Sequence, residues 1–326
     1  MNLITSDDTC FSHYFHLHKT LWGNAKASTT LQQQAYEIQD IQPLVSRVKA
    51  SESVSNFSDQ SKPIPSNTFS KTWTVFRLDN GSKAFLQPTG KYVTKSILIR
   101  EWFETTYANM IGLAGKQRQR CFVISGGAGI GKTHFLQYIL IKRLLDGKAT
   151  TIQLDRDHIF WFNSDGVFVV RSWNQPDLLS SLLNDTHLIH LVDVPLAPED
   201  VVLQAAGVMV TTSSLCDLAS SYRWMDRQTP TGCILWMEPL SWEETYVVCK
   251  HFAPPFFNLQ SLNDIARVFL KYGPSISTCL NLANSPFREA SHERNISLAL
   301  DSLKHGSRWL PLPDAQWSGP SLASYA

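Results

Sequence analysis

The stretch CFVISGGAGIGKTHF (121–135) decides how the rest of the chain is interpreted. A short, mainly apolar run leads into four glycines within six positions, and a lysine and a threonine follow at once. Glycine inside a regular element costs about 0.5–1 kcal/mol relative to alanine, so this cluster indicates a backbone that another group must approach closely. The run Gly126–Thr133 fits the pattern G-x-x-x-x-G-K-[ST] in full, between a predicted strand and a predicted helix.

That pattern is typical of a phosphate-binding loop. Glycines allow successive backbone N–H groups to converge on an anion, and the helix that follows adds its positive N-terminal end. In such a loop the lysine reaches the β- and γ-phosphates and the threonine hydroxyl ligates Mg²⁺. The predicted ligand is therefore ATP or another nucleoside triphosphate, with Mg²⁺. The residues predicted to contact it are Gly126, Gly127, Ala128, Gly129, Ile130, Gly131, Lys132, Thr133 and His134.

An apolar strand that ends in an acid should complete such a site, and LIHLVDVP (188–195) supplies one. Asp193 follows the apolar run and is predicted to hold the magnesium ion, with Thr133 as the second metal-side residue. Lys132 and Asp193 are the predicted catalytic residues. Phosphoryl transfer rests on positioning and charge neutralisation, which these two groups would provide.

Hydrolysis itself stays open on the sequence. Val194 stands directly after Asp193, where a glutamate usually polarises the attacking water. Glu199 and Asp200 could substitute for it, and the competing interpretation is that they are surface acids in a loop. Binding of the nucleotide is thus predicted independently of its hydrolysis.

Strand-like and helical segments alternate from residue 121 to residue 239, which indicates parallel pairing in a three-layer α/β core. A further strand region (150–163) lies between the loop strand and the Asp193 strand in sequence, an insertion that characterises the branch of P-loop NTPases containing AAA+ and STAND ATPases. We expect a three-layer P-loop NTPase fold with a parallel sheet and a C-terminal helical lid. Upstream, we expect helices over 31–48 and 97–115 and a hairpin turn at Asp79-Asn80-Gly81.

The predicted domain organisation has five parts. They are a poorly ordered N-terminal region and linker (1–70), a β-hairpin and helix leading into the core (71–115), the P-loop NTPase core (116–240), the helical lid (241–285) and an irregular tail (286–326).

Several other polar residues have two interpretations. Hydroxyls at the C-terminal end of the strand GVMVTTSS could sense a γ-phosphate or cap the next helix; these are Thr211, Thr212, Ser213 and Ser214. Three arginines could stabilise charge or lie on the surface; these are Arg171, Arg223 and Arg227. The N-terminal histidines His13, His16 and His18 have a metal-like spacing, and we expect them to be solvated in an unstructured terminus.

The composition is that of an ordinary globular protein, with 43% hydrophobic and 17% charged residues and a net charge of +1. No apolar stretch is long enough for a membrane span, and the six cysteines have no paired spacing, which suits a reducing compartment. We expect no signal peptide, an intracellular location in cytoplasm or nucleus, no membrane partner, and a protein partner or self-association. A further alternative for the function of the protein is DNA binding through the basic stretch 83–148.

Several blocks resemble the NTPase module of Crinkler effectors and trypanosomatid retrotransposon hot spot (RHS) proteins over residues 70–285. They are LIREWFETTYANMI (98–111), GGAGIGKTHFLQYILIKRLL (126–145), HLVDVPLAP (190–198), VMVTTSS (208–214), SYRWMDRQ (221–228), MEPLSWEE (237–244) and ARVFLKYGPSIS (266–277). The resemblance implies an intracellular, effector-type or conflict-type P-loop NTPase. Ser277 stands where the family's lid carries an arginine. No nuclease-like or kinase-like module is recognisable in the flanking residues, so we expect a reduced or truncated member. The alternative is a non-hydrolysing switch that binds ATP and presents its lid to a protein partner.

Overall fold

The computed structural model describes residues 2–5, 7, 11–24, 31–39, 68–77, 96–116, 120–155, 158–170, 187–193, 207–213, 232–252, 262–283 and 285–304. The chain divides into two units, residues 1–284 and 285–326. The strands of the first unit are β1 Asn2–Leu3, β2 Leu31–Gln39, β3 Thr68–Arg77, β4 Ser96–Ile99, β5 Cys121–Ser125, β6 Thr150–Gln153, β7 Ile159–Asn163, β8 Gly166–Val170, β9 Ile189–Val192, β10 Val208–Ser213 and β11 Gly232–Trp236.

The helices of the first unit are α1 Ser12–Leu21, α2 Glu101–Lys116, α3 Lys132–Leu145, α4 Trp242–Val247, α5 Leu262–Tyr272 and α6 Ile276–Leu282. A π-helical turn, Val248–Phe252, continues α4. The described part of the second unit is one helix, α7 Pro286–Lys304. The structure therefore differs from the expected irregular tail over these residues, and residues 305–326 lie outside the described part.

Eight of the described strands form one mixed sheet in the order β1-β8-β7-β6-β9-β10-β5-β11. The five strands from β6 to β11 in this order are parallel to one another, and β7, β8 and β1 extend the sheet in antiparallel fashion. The mixed α/β architecture with a large, parallel-rich sheet is confirmed. The strands β7 and β8 pair directly, from Ile159↔Val170 to Asn163↔Gly166.

The register of the parallel strands brings three strand ends to the same level. Thr211 of β10 pairs with Val123 of β5 on one side and with Val192 of β9 on the other. The residues that follow, Thr212 and Asp193, therefore lie side by side at the carboxyl edge of the sheet. Ligands of open α/β sheets bind at this edge.

The strand region expected over 150–163 is present, but it is not a single strand. The structure has two strands there, β6 and β7, and they pair antiparallel from Thr150↔Phe162 to Gln153↔Ile159. The strand that separates β5 from β9 in space is β10, which comes later in the chain.

A second sheet has the order β2-β3-β4, with both pairs antiparallel. The helix expected over 31–48 is wrong for the described residues 31–39, which form β2. Tyr36 and Ile38 are buried while Glu37 between them is exposed, which is the alternation of a strand with one covered face. The hairpin turn expected at 79–81 lies outside the described residues.

The helix expected over 97–115 begins later, at Glu101. The preceding residues form β4 because the apolar run SILI pairs with β3 and buries three of its four side chains. Two cores result. One lies around α3 and the large sheet, and the other joins the small sheet to α4, α5 and α6 through residues such as Trp73, Trp242 and Ile265.

The N-terminal residues also contribute to the first core. Tyr14, Leu17 and Leu21 on α1 are buried, and the ring of Tyr14 lies 4.0 Å from that of Phe160 on β7. The expectation of a poorly ordered N-terminal region therefore does not hold for Ser12–Leu21, because this helix has one apolar face that packs on the sheet.

The N-terminal histidines lie on this helix, so their interpretation as residues of an unstructured terminus is wrong. His13 is buried, and the Nε2 atom of His18 hydrogen-bonds to the carbonyl oxygen of Asn163 at 2.8 Å. Among the described residues no group of three or more potential metal ligands occurs. None of the helices in the described residues is both long enough and apolar enough to cross a bilayer.

Ile38→Ala tests the strand assignment of β2. Ile38 is fully buried in the second core, and truncation of such a side chain lowers the free energy of unfolding by about 2–5 kcal/mol. Glu37→Ala is the matched control, since exposed substitutions change it by about 0.5 kcal/mol or less. Urea denaturation measures both. Equal effects of the two variants would contradict the alternation.

Candidate nucleotide site

The loop between β5 and α3 is a sharp strand-to-helix connection. All five residues of β5 are buried, and α3 begins at Lys132 directly after Gly131. Gly126, Gly129 and Gly131 have φ angles of 147°, 72° and 103°, which L side chains rarely adopt. Three of the four glycines of the motif are thus required by the path of the backbone.

Two of these glycines are also places of close approach. A Cβ atom at Gly126 would lie 2.5 Å from Cδ1 of Ile130 and 3.2 Å from the carbonyl oxygen of Met237. A Cβ atom at Gly129 would lie 2.5 Å from the hydroxyl of Ser277 and 2.7 Å from that of Ser275. The loop therefore leaves no space for side chains where it meets the residues after β11 and the start of α6.

The ammonium group of Lys132 lies against the loop. Its Nζ atom donates hydrogen bonds to the carbonyl oxygens of Gly126 at 2.9 Å and Gly127 at 2.7 Å. An ammonium group has three donors and a flexible stem, so the same group can exchange these carbonyls for phosphate oxygens at the mouth of the loop.

Asp193 lies between two hydroxyl groups. Thr133 Oγ1 donates to Oδ2 of Asp193 at 2.6 Å, and Thr212 Oγ1 donates to Oδ1 at 2.5 Å. The backbone N–H of Asp193 donates to the carbonyl of Gln153 on β6 at 2.8 Å. Three separate elements, α3, β9 and β10, thus bring their polar groups to one point at the carboxyl edge of the sheet.

The electrostatics of Asp193 reflect this position. Burial raises the pKa of its carboxyl group, and the hydrogen bonds from Thr133 and Thr212 and the charge of Lys132 oppose that rise without cancelling it. A buried carboxylate is stabilised by a nearby cation. Oxygen ligands from carboxylates and hydroxyls are those that Mg²⁺ prefers, so the donor set of Thr133 and Asp193 fits that ion.

The structure brings together four of the residues singled out in the sequence: Lys132, Thr133, Asp193 and Thr212. Among the remaining loop residues, Ile130 packs its side chain into the core, whereas Ala128 is exposed. His134 follows in the first turn of α3, and burial lowers the pKa of its imidazole. The candidates Arg171, Glu199, Asp200, Ser214, Arg223 and Arg227 all lie outside the described residues.

The start of α6 contacts the loop directly. The N–H of Ile276 donates to the carbonyl of Gly129 at 3.2 Å, and Ser275 caps the helix by accepting from the N–H of Thr278 at 3.3 Å. Ser277, at the position where the resemblance to Crinkler and RHS proteins implies an arginine, lies beside Gly129. A serine hydroxyl carries no charge to offer a phosphate.

Sequence reasoning missed one polar residue at this site, Arg100. It follows β4 directly, and only 5% of its side chain is exposed. Its guanidinium forms an ion pair with Glu244 at 2.9 Å and donates to the carbonyl of Ile130 in the loop at 3.4 Å. The signal available in the sequence was an arginine placed between an apolar strand and a helix, inside LIREWF.

Comparisons with known proteins leave the family open. No family model matches the chain, and no curated protein matches it. Among solved structures, a closed-state cryo-EM reconstruction of Hsp104 with ATPγS and FITC casein is similar, with a TM-score of 0.37 and 11% identity. The similarity covers 55% of this chain and 35% of the Hsp104 chain.

Asp193→Asn tests the electrostatics of this carboxyl group. Its pKa is raised in the folded protein, so the folded state retains a proton that the unfolded chain has lost. The free energy of unfolding of the parent should therefore fall, relative to the variant, as pH rises from the ordinary aspartate pKa through the raised one. Denaturation at several pH values without Mg²⁺ measures this difference, and a difference that is constant or grows with pH would contradict it.

Proposed function

We propose that this protein binds a nucleoside triphosphate, with ATP as the first candidate, together with Mg²⁺ at the loop Gly126–Thr133. The observation that carries the proposal is the hydrogen bond between Thr133 and Asp193. It joins the first turn of a helix after a glycine loop to the end of a parallel strand.

The phosphates would be held by the backbone of the loop and by Lys132. The N-terminal end of α3 attracts anions through its free N–H groups and its dipole. The three glycines with positive φ angles have no side chains, so the phosphates could approach the loop backbone closely at these positions. The ammonium group of Lys132, which contacts the loop carbonyls, would bind the β- and γ-phosphates.

Thr133 and Asp193 would hold Mg²⁺, and Thr212 would orient the carboxylate of Asp193. The bound ion neutralises the charge that develops on the phosphates. Its positive charge also keeps Asp193 ionised, which offsets the cost of burying that carboxylate.

Two outcomes of binding remain candidates. In the first, the protein hydrolyses ATP as a member of the Crinkler and RHS type of NTPase, with Lys132 and Asp193 in catalytic roles. In the second, it is a non-hydrolysing switch whose helices α4 to α6 respond to the nucleotide and meet a protein partner or a second copy. Val194 after Asp193 and the contact of α6 with Gly129 favour the second. The proposed location is intracellular for the hydrolase and for the switch alike.

Lys132→Ala tests nucleotide binding. Isothermal titration with Mg²⁺ and ATP should show binding to the parent and a loss of at least about tenfold in affinity for the variant, because one charge-assisted hydrogen bond is worth about 1.5–3 kcal/mol. Lys148→Ala is the matched control, since Lys148 is an exposed lysine beyond the other end of α3. A variant at Lys132 that binds ATP as the parent does would overturn the proposal.

Single-turnover assays with labelled ATP separate the two candidates. An NTPase should convert bound ATP to ADP and phosphate in the presence of Mg²⁺, and chelation of the metal should stop the conversion. Tight binding without any conversion rules out the hydrolase and supports the switch.

A further inference from the structure

Arg100 is a buried cation that connects three separate parts of the chain. Besides its ion pair with Glu244, its guanidinium donates to the carbonyls of Glu238 and Pro239, both at 3.1 Å. A fourth contact reaches the carbonyl of Ile130 at 3.4 Å. The side chain thus joins the end of β4 to the glycine loop, to the segment after β11 and to the first turn of α4.

The partner of Arg100 is itself held in place. Glu244 accepts a hydrogen bond from the N–H of Ser241 at 2.9 Å, and the hydroxyl of Ser241 accepts from the N–H of Glu244 at 3.1 Å. This capping box fixes the start of α4. One carboxylate therefore serves both the helix start and the guanidinium.

Only arginine suits this set of partners. Its planar fork carries five N–H donors in fixed directions, whereas a lysine is a single point charge with three rotatable donors. A lysine would keep the charge opposite Glu244 but could not span the same carbonyl oxygens. A buried cation without such partners would be costly.

The contact with Ile130 is linked to the direction of a loop amide through the geometry of the peptide group. The C=O and N–H groups of a planar trans peptide point in opposite directions. When the carbonyl of Ile130 is directed toward Arg100, the N–H of Gly131 is directed away from it. The ring of Phe103 lies near the same region: a Cβ atom added at Gly131 would be 3.9 Å from its Cζ atom.

We propose that Arg100 is a positioning residue of the nucleotide site. It holds the peptide between Ile130 and Gly131 in the orientation that presents a loop amide to phosphate, and it links that peptide to the first turn of α4 through Glu244. The consequence for nucleotide binding rests on the proposed function above, whereas the effect on the loop does not.

Arg100→Lys tests the effect on the loop in the absence of nucleotide. Hydrogen–deuterium exchange should become faster in peptides that cover 126–131 and the start of α4, while the hairpin of β7 and β8 (159–170) keeps its rate. Equal exchange of the loop in the variant and the parent would overturn the proposal. A uniform increase in all peptides would also overturn it, because it would indicate a merely structural role.

The second measurement is ATP affinity with Mg²⁺. Arg100→Lys should weaken binding by about tenfold, because one loop amide would no longer be held toward the phosphates, and a hydrogen bond to a charged group is worth about that much. Arg143→Lys is the matched control. Arg143 is also a buried arginine, with 4% exposure, and its guanidinium donates to Thr150, Ala149 and His187. The control should bind ATP as the parent does.

The outcomes separate the two proposals. A parent that binds no nucleotide contradicts the proposed function, and the exchange measurement then still decides the role of Arg100. A parent that binds ATP and an Arg100→Lys variant with the same affinity contradict the positioning role alone. If Arg100→Lys does not fold, Glu244→Gln replaces it, because it removes the charge of the partner and keeps its size, and it should shift loop exchange in the same direction.

Discussion

The parallel pairing of β5 with β10 and β11 is the constraint on which the rest of the structure depends. This pairing places the fully buried strand β5 between β10 and β11. The chain that leaves the carboxyl end of β5 therefore continues into a loop at the edge of the sheet. Because the carboxyl ends of β5, β10 and β9 lie side by side, Thr212 and Asp193 come close to the start of α3. A one-residue change of register would turn these side chains to the other face. The hydrogen bonds of Asp193 are therefore a consequence of strand pairing.

The loop is held from several sides by groups distant in sequence. The N–H of Met237 donates to the carbonyl of Ser125 at 2.8 Å, the start of α6 contacts Gly129, and Arg100 reaches Ile130. These contacts all come from elements of the second core or from the segments leading into it. A nucleotide that reorders the loop would thus act directly on the start of α6 and, through Arg100, on the start of α4. This gives the switch candidate a physical route.

Most of the large sheet could be predicted from sequence, because its strands are short apolar runs and the loop between β5 and α3 has an unambiguous pattern. The sequence singled out Lys132, Thr133 and Asp193 for the same reason, and the structure brings them together. The strand β2 was missed because LQQQAYEIQ has few apolar residues, and its preference is decided by pairing with β3. Arg100 was missed because its partners, Ile130, Glu238 and Glu244, are far away in the chain, and its place between an apolar run and a helix does not by itself show that the arginine is buried.

Hydrogen–deuterium exchange of the parent with Mg²⁺ and a non-hydrolysable ATP analogue tests the central claim most directly. A nucleotide at this edge of the sheet should protect three regions together, residues 121–135, 189–193 and 273–280, because the loop, Asp193 and the start of α6 meet there. Omission of Mg²⁺ should reduce the protection around Asp193 most. An exchange pattern that stays unchanged at millimolar nucleotide, or protection confined to other regions, would contradict the account.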